Sequence, residues 1–170
     1  MNCRHLVAWP AIAALSIILS SGTVVAQQKP LALQLVGSWT PVVIENVRPD
    51  GSRAYPYSST PKGILIFTGD GHFSLHVLKP GIPHYASNNR SQGTAEENKA
   101  TVQGGIHFFG TYTVHTSDDS FTLHIAGSSF PNYNGFDQTR KVSISGDEMK
   151  LALATVSAGG GANQVWKRLK

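Results

Sequence analysis

The residues with the clearest chemistry lie in FDQTRKVSIS, residues 136–145, where Gln138 and Arg140 stand two positions apart. In an extended chain side chains alternate between two faces, so Phe136, Gln138, Arg140, Val142 and Ile144 share one face. That face is the apolar one, and a guanidinium placed on it needs an answering group, because a buried unpaired charge is costly. Tyr112, in IHFFGTYTVH (residues 106–115), falls by the same alternation on a face with Ile106, Phe108 and Val114. An amide, a phenol and a guanidinium among apolar side chains can orient an amphipathic molecule. Arg is a planar fork that matches a carboxylate, so the natural guest is an acid with an apolar tail. The same Arg140 could instead donate to backbone carbonyls or to an acidic residue inside a filled core.

The histidines suggest a second chemistry, and spacing argues against it. His72 and His76 are four residues apart, about 13 Å along a strand, which no single ion bridges. His76 and His107 could meet across strands, but no cysteine or tight carboxylate cluster supports a metal site, and none is expected. No Gly-x-Ser-x-Gly elbow, His-Glu-x-x-His helix or phosphate-binding glycine loop occurs. No cofactor is expected either. A general acid–base set could still be assembled from His124, Tyr112 and Arg140, although alternation turns His124 outward.

These side chains need a β framework to position them, and turn signals at short intervals supply one. Eight strands are expected: 37–48, 63–67, 72–77, 106–115, 120–126, 136–145, 149–155 and 163–169. Consecutive strands joined by short turns form an antiparallel meander, closed as a barrel or stacked as a sandwich. Phe73, Leu75 and Val77 share an inward face, as do Phe121, Leu123 and Ile125, and Met149, Leu151 and Leu153. Gly110 marks a bend or bulge. Between Lys79 and Gly105 the pattern breaks, and Thr94-Ala95-Glu96-Glu97 is a capping box that starts one short helix at about 95–102. That excursion reads equally as a lid over one barrel end or as a solvated surface turn.

The chain opens MNCRHLVAWPAIAALSIILSSGTVVAQQ, with Arg4 in a short basic head, an apolar run from Leu6 to Leu19, and Val24-Val25-Ala26. This is the pattern of a secretory signal peptide, residues 1–26, followed by a flexible segment at 27–34 and one domain at 35–170. The mature protein is therefore expected in the periplasm or secreted, with no stable membrane anchor after cleavage. Removing Arg4 leaves 13 of the 14 Lys and Arg residues against 10 Asp and Glu, a scattered formal charge of +3. Without a basic stripe interleaved with aromatics, nucleic acid is not an expected partner. The single cysteine, Cys3, lies in the leader, so the domain is held by its core alone.

LVGSWTPV, YPYSSTPKGILIFTGDGHFS, the Thr94–Glu97 box, FFGTYTV, SSFPNYNGFDQTRKVSI and the terminal QVWKR, in that order, resemble the bacterial lipocalin-like domain family. The resemblance spans Leu35 to Arg168. It implies an all-β, eight-stranded up-and-down antiparallel barrel of the calycin type, with one short helix in a long inter-strand excursion. It also implies that Trp39 of Gly37-Ser38-Trp39 plugs one barrel end with an Arg packed across it. Arg168 suits that role, since first and last strands must adjoin, and Trp39, Arg168 and Trp166 are assigned to closure.

An eight-stranded barrel is just wide enough to be filled or to hold one small ligand. The expected function is binding of a small apolar or amphipathic molecule, with Arg140, Gln138 and Tyr112 as its polar contacts and Phe73, Leu75, Leu123 and Leu151 as its apolar wall. The alternative is a cofactor-independent isomerase or cyclase in the same pocket.

Overall fold

The computed structural model describes residues 29–170. The leader expected at 1–26 lies outside the described residues. Nine strands form one sheet: β1 (Gly37–Val47), β2 (Arg53–Ala54), β3 (Lys62–Phe67), β4 (His72–Leu78), β5 (Gly105–His115), β6 (Ser120–Ser128), β7 (Asp137–Ser145), β8 (Glu148–Leu153) and β9 (Gly161–Arg168). All neighbours are antiparallel in the order β1-β3-β4-β5-β6-β7-β8-β9, and β1 pairs with β9 from Trp39↔Arg168 to Val47↔Gly161. The result is a closed eight-stranded barrel, with β2 a two-residue addition to β1. Closure removes every long free edge.

Alternation is the cause of the barrel's sidedness. Along β7, Gln138, Arg140 and Val142 are buried while Asp137, Thr139, Lys141 and Ser143 are exposed. β4 and β8 show the same two-residue rhythm, with Phe73, Leu75 and Val77, and Met149, Leu151 and Leu153, all buried. Phe136 precedes the strand and is exposed, its ring stacked on Tyr133.

Two irregularities bend the wall. The β1–β9 register shifts between Pro41 and Val43, a bulge that accommodates a proline without a ladder N–H. The β5–β6 register shifts between Phe109 and Gly110. A Cβ at Gly110 would lie 2.0 Å from the His124 carbonyl oxygen, so the close approach of the two backbones there requires glycine. The extra residue is Ala126 on β6, so β5 keeps its phase past the shift: Tyr112 and Val114 pack against the core while Thr111 and Thr113 are exposed.

One end of the barrel is closed from within. Residues 31–34, expected as part of a flexible segment, belong to a short helix, α1 (Leu31–Leu35), whose Leu35 is fully buried against the core. The apolar side of LALQL has a hydrophobic surface to cover, which is why the segment orders. Trp39 is fully buried and its indole N–H donates to the Leu35 carbonyl at 2.9 Å. Arg168 lies with Cζ 4.0 Å from the centre of the Trp39 ring, and its guanidinium donates to the carbonyls of Val36 (2.8 Å) and Gln34 (2.6 Å). Gly37, at φ +127°, leaves room for that guanidinium, since a Cβ there would stand 2.8 Å from Nη1. The short β3–β4, β5–β6 and β7–β8 turns share this closed end.

The long connections gather at the other end. Among them is the 79–104 excursion, which carries α2 (Ala95–Gln103), capped by Thr94.

Candidate functional site

The open end leads to a cavity of about 410 Å³. Its rim comes from the loops around Tyr57, Phe130–Tyr133 and Val156–Ala158 and from the last turn of α2 at Thr101–Gln103. Its interior is formed by Ile44, Leu75, Val77, Phe108, Gln138, Arg140, Gln164 and Trp166. At the small end of the roughly 300–1,000 Å³ range of ligand pockets, it suits one compact molecule.

Arg140 is the charged group of this interior and is only 2% exposed. Its Nη2 donates to Gln138 Oε1 at 2.6 Å, and its Nη1 reaches Gln164 Oε1 at 3.5 Å, the long limit of a hydrogen bond. Its Nε has no partner. Phe108 lies beneath it, 5.8 Å from Cζ to ring centre. Both acceptors are neutral amides, so the charge is solvated by dipoles and not paired. Gln164 Oε1 is shared, accepting also from the Trp166 indole N–H at 2.9 Å. The buried carboxylate of Glu45 is held by Arg53 at 3.0 Å and Asn163 at 3.2 Å, away from Arg140. Burial pulls the Arg140 pKa down to about 10, against the opposing influence of Tyr133 and Tyr57. Burial likewise pushes the Tyr57 hydroxyl up to about 12. At neutral pH the pocket therefore holds one positive guanidinium and a neutral phenol.

The structure brings together Arg140, Gln138 and Leu75 at the cavity. It places the other residues named for the ligand elsewhere. Tyr112 packs edge-on against Phe67 (5.0 Å) and donates to the Thr68 carbonyl at 2.8 Å, within the β3–β4 turn of the closed end. Phe73, Leu123 and Leu151 are buried in the core but do not line the cavity. The reason is that alternation assigns a residue to a face but not to a height along the barrel axis. The closed half is filled by Phe67, Tyr112 and Phe121, with Phe67 and Phe121 at 5.3 Å, and the space lies above them.

Trp166, assigned to closure, pairs with Pro41 across the β1–β9 seam and also presents its indole to the cavity. Gln164 completes the polar set. Its signal was present in the sequence, because Ala162, Gln164 and Trp166 share one face of β9. Tyr57 and Tyr133 come from loops, where no periodicity marks them.

The acid–base set does not assemble. His124 lies outside the barrel, its Nδ1 2.8 Å from Asp137 and its Nε2 3.0 Å from Thr113 Oγ1, while Tyr112 is at the closed end. His76 and His107 face each other across β4 and β5 with their Nδ1 atoms 3.2 Å apart. Among the described residues no three metal-ligating side chains converge.

The 79–104 excursion is tied together by one carboxylate. Glu97 accepts from the backbone N–H groups of Ala86 and Thr94, each at 2.8 Å, while Thr94 Oγ1 accepts from the Glu97 N–H. These bonds, that from Ala86 first, hold the Glu97 pKa below its ordinary 4.5. A carboxylate with a depressed pKa contributes order that is present above the unfolded value and lost as pH falls through the folded one. Glu97→Ala should therefore raise hydrogen exchange at the amides of Ala86 and Thr94 and leave the barrel's melting temperature nearly unchanged. Acidification of the parent below that pKa should reproduce the effect. Unaltered exchange in the variant would mean that the segment is held by its barrel contacts instead.

A family model described as the lipocalin-like domain matches residues 36–169. The chain belongs to the lipocalin-like domain family. A curated relative, the 4'-hydroxy-3'-methoxypropiophenone carrier protein of Aspergillus oryzae, is 28% identical over 106 residues, covering 56% of this chain and 96% of its own. Among solved structures, a redesigned β barrel is similar at 14% identity and a TM-score of 0.43, covering 83% of this chain and 96% of that one.

Proposed function

We propose that the mature chain is an exported carrier that holds one small apolar or amphipathic molecule in the open half of the barrel, with Arg140 as polar anchor. The observation that carries this reading is a buried guanidinium that lines a cavity and has, among the described residues, no anionic partner and no acceptor for its Nε. Such a charge is tolerated where a guest completes it. Membership in the lipocalin-like family supports ligand binding in general, and the fungal relative is named as a carrier. Gln138 and Gln164 hold the guanidinium in place, which lowers the ordering cost of binding a guest. α2 stands at the rim, where loosening the excursion would speed release.

Native mass spectrometry of protein purified from its own host tests the reading. A non-covalent small-molecule adduct, removed by organic extraction and restored by host extract, is expected. Protein that takes up nothing from the extract would overturn the carrier reading. Export is tested separately by N-terminal sequencing of material outside the cytoplasm. It should begin at Gln27, and a sequence beginning at Met1 would overturn export by signal cleavage.

A further inference from the structure

We propose, building on the pocket reading above, that the guest is a planar aromatic acid whose carboxylate meets Arg140 and whose ring lies against Phe108 and Tyr133. Arg140 specifies the acid. Its Nη2 is anchored by Gln138 at 2.6 Å, its contact to Gln164 is long at 3.5 Å, and its Nε donates to nothing. An anion with two coplanar oxygens suits this fork, since a small turn of the buried guanidinium towards the cavity would let it take Nε and a neighbouring Nη together. No carboxylate of the described residues supplies it, since the buried one, Glu45, is bound by Arg53.

The walls specify the ring. Tyr133 is held on three sides: edge-on to Phe108 at 6.0 Å, edge-on to Phe130 at 5.0 Å, and stacked on Phe136 at 6.0 Å. Its position is therefore fixed before any guest arrives. Phe108 is the same ring that lies under the Arg140 guanidinium, so anion site and aromatic wall are contiguous. A flat guest gains offset or edge-on ring contacts there. It also loses few internal rotors on binding, whereas an alkyl chain of similar size must order many. A volume of about 410 Å³ matches a one- or two-ring acid better than a long lipid.

Calorimetry of the mature protein with three probes tests this: 2-naphthoate, undecanoate with the same number of carbons, and the neutral 2-naphthylmethanol. 2-Naphthoate should bind roughly five- to tenfold tighter than undecanoate. It should exceed the neutral alcohol by more than about tenfold. Tyr133→Leu should weaken naphthoate several-fold and undecanoate by clearly less, and the comparison of probes on the parent protein needs no variant at all. Undecanoate binding as tightly as naphthoate would overturn the aromatic specificity while the carrier reading stands. The alcohol binding as tightly as naphthoate would overturn the acid site. Binding of no probe, together with no adduct from host extract, would overturn both readings.

Discussion

Arg140→Met leaves the free protein as stable as the parent or more so, and it costs affinity for an acidic guest roughly 2 to 5 kcal/mol, the loss expected when one partner of a buried charge pair is removed. The stability half follows from the cost of the charge. A guanidinium pulled from 12.5 to about 10 by burial disfavours the fold by roughly 3 kcal/mol at neutral pH, at about 1.4 kcal/mol per unit. Against this stand the bonds to Gln138 and Gln164, about 1 kcal/mol for the short one. Methionine keeps much of the apolar stem, Gln164 keeps its Trp166 donor, and Gln138 faces a cavity where water can replace the lost partner.

The sign with pH is the check. A cation whose folded pKa is depressed destabilises the fold below that pKa, and the deficit is relieved as pH rises through about 10 towards the unfolded value. The stability advantage of the methionine variant should therefore be present at pH 7 to 9 and shrink above pH 10. Urea unfolding across that range and calorimetry with 2-naphthoate, on the same variant, measure both halves. A stability loss above about 2 kcal/mol with no acid-selective change in affinity would make Arg140 a core residue. Arg140→Lys, which keeps a charge but loses the fork, should recover only part of the affinity.

The fold was legible in the sequence because a barrel wall is written in a two-residue code. Each strand that alternates cleanly, such as HFSLHVL or DQTRKVS, states which side chains face the core, and glycine turns state where the chain reverses. The polar intruders on the inner face were legible for the same reason, which is how Gln138 and Arg140 were found and how Gln164 could have been. The height of a residue along the barrel axis was not legible. It depends on strand tilt and on the bulges of the β1–β9 and β5–β6 ladders, so Tyr112 and Leu123 share the inward face with Arg140 yet do not line the cavity. Loop residues were least legible of all. Tyr57 and Tyr133 reach the pocket through connections whose course is set by tertiary packing. α1 was missed because five residues carry too little periodicity to separate a helix from an unstructured lead-in.

Trp39→Ala should lower stability by about 3 to 5 kcal/mol, the range for removing a buried large aromatic, yet leave affinity for the pocket's guest within about twofold. Trp39 is fully buried at the closed end, where it is at once the plug, the donor to the Leu35 carbonyl and the surface under Arg168. Its loss opens a void that neighbours on a closed ladder cannot collapse into, because β1 is fixed on both sides by β3 and β9. It strands the Leu35 carbonyl and removes one of the ties between α1 and the core. Arg168 loses a cation–π contact, on the order of 1 kcal/mol, but keeps the Val36 and Gln34 carbonyls. Trp39→Phe, which refills part of the void without the N–H, should cost about half as much. The pocket sits in the other half, above the Phe67–Tyr112–Phe121 cluster, so a destabilised but folded variant still presents Arg140 and Phe108 in the same geometry. Urea unfolding and 2-naphthoate calorimetry at low temperature separate the two effects. A stability loss under about 1 kcal/mol would show that α1 and Arg168 close the barrel without the indole. An affinity loss in step with the stability loss would show that the two halves of the barrel are coupled, with the closed end setting the shape of the pocket.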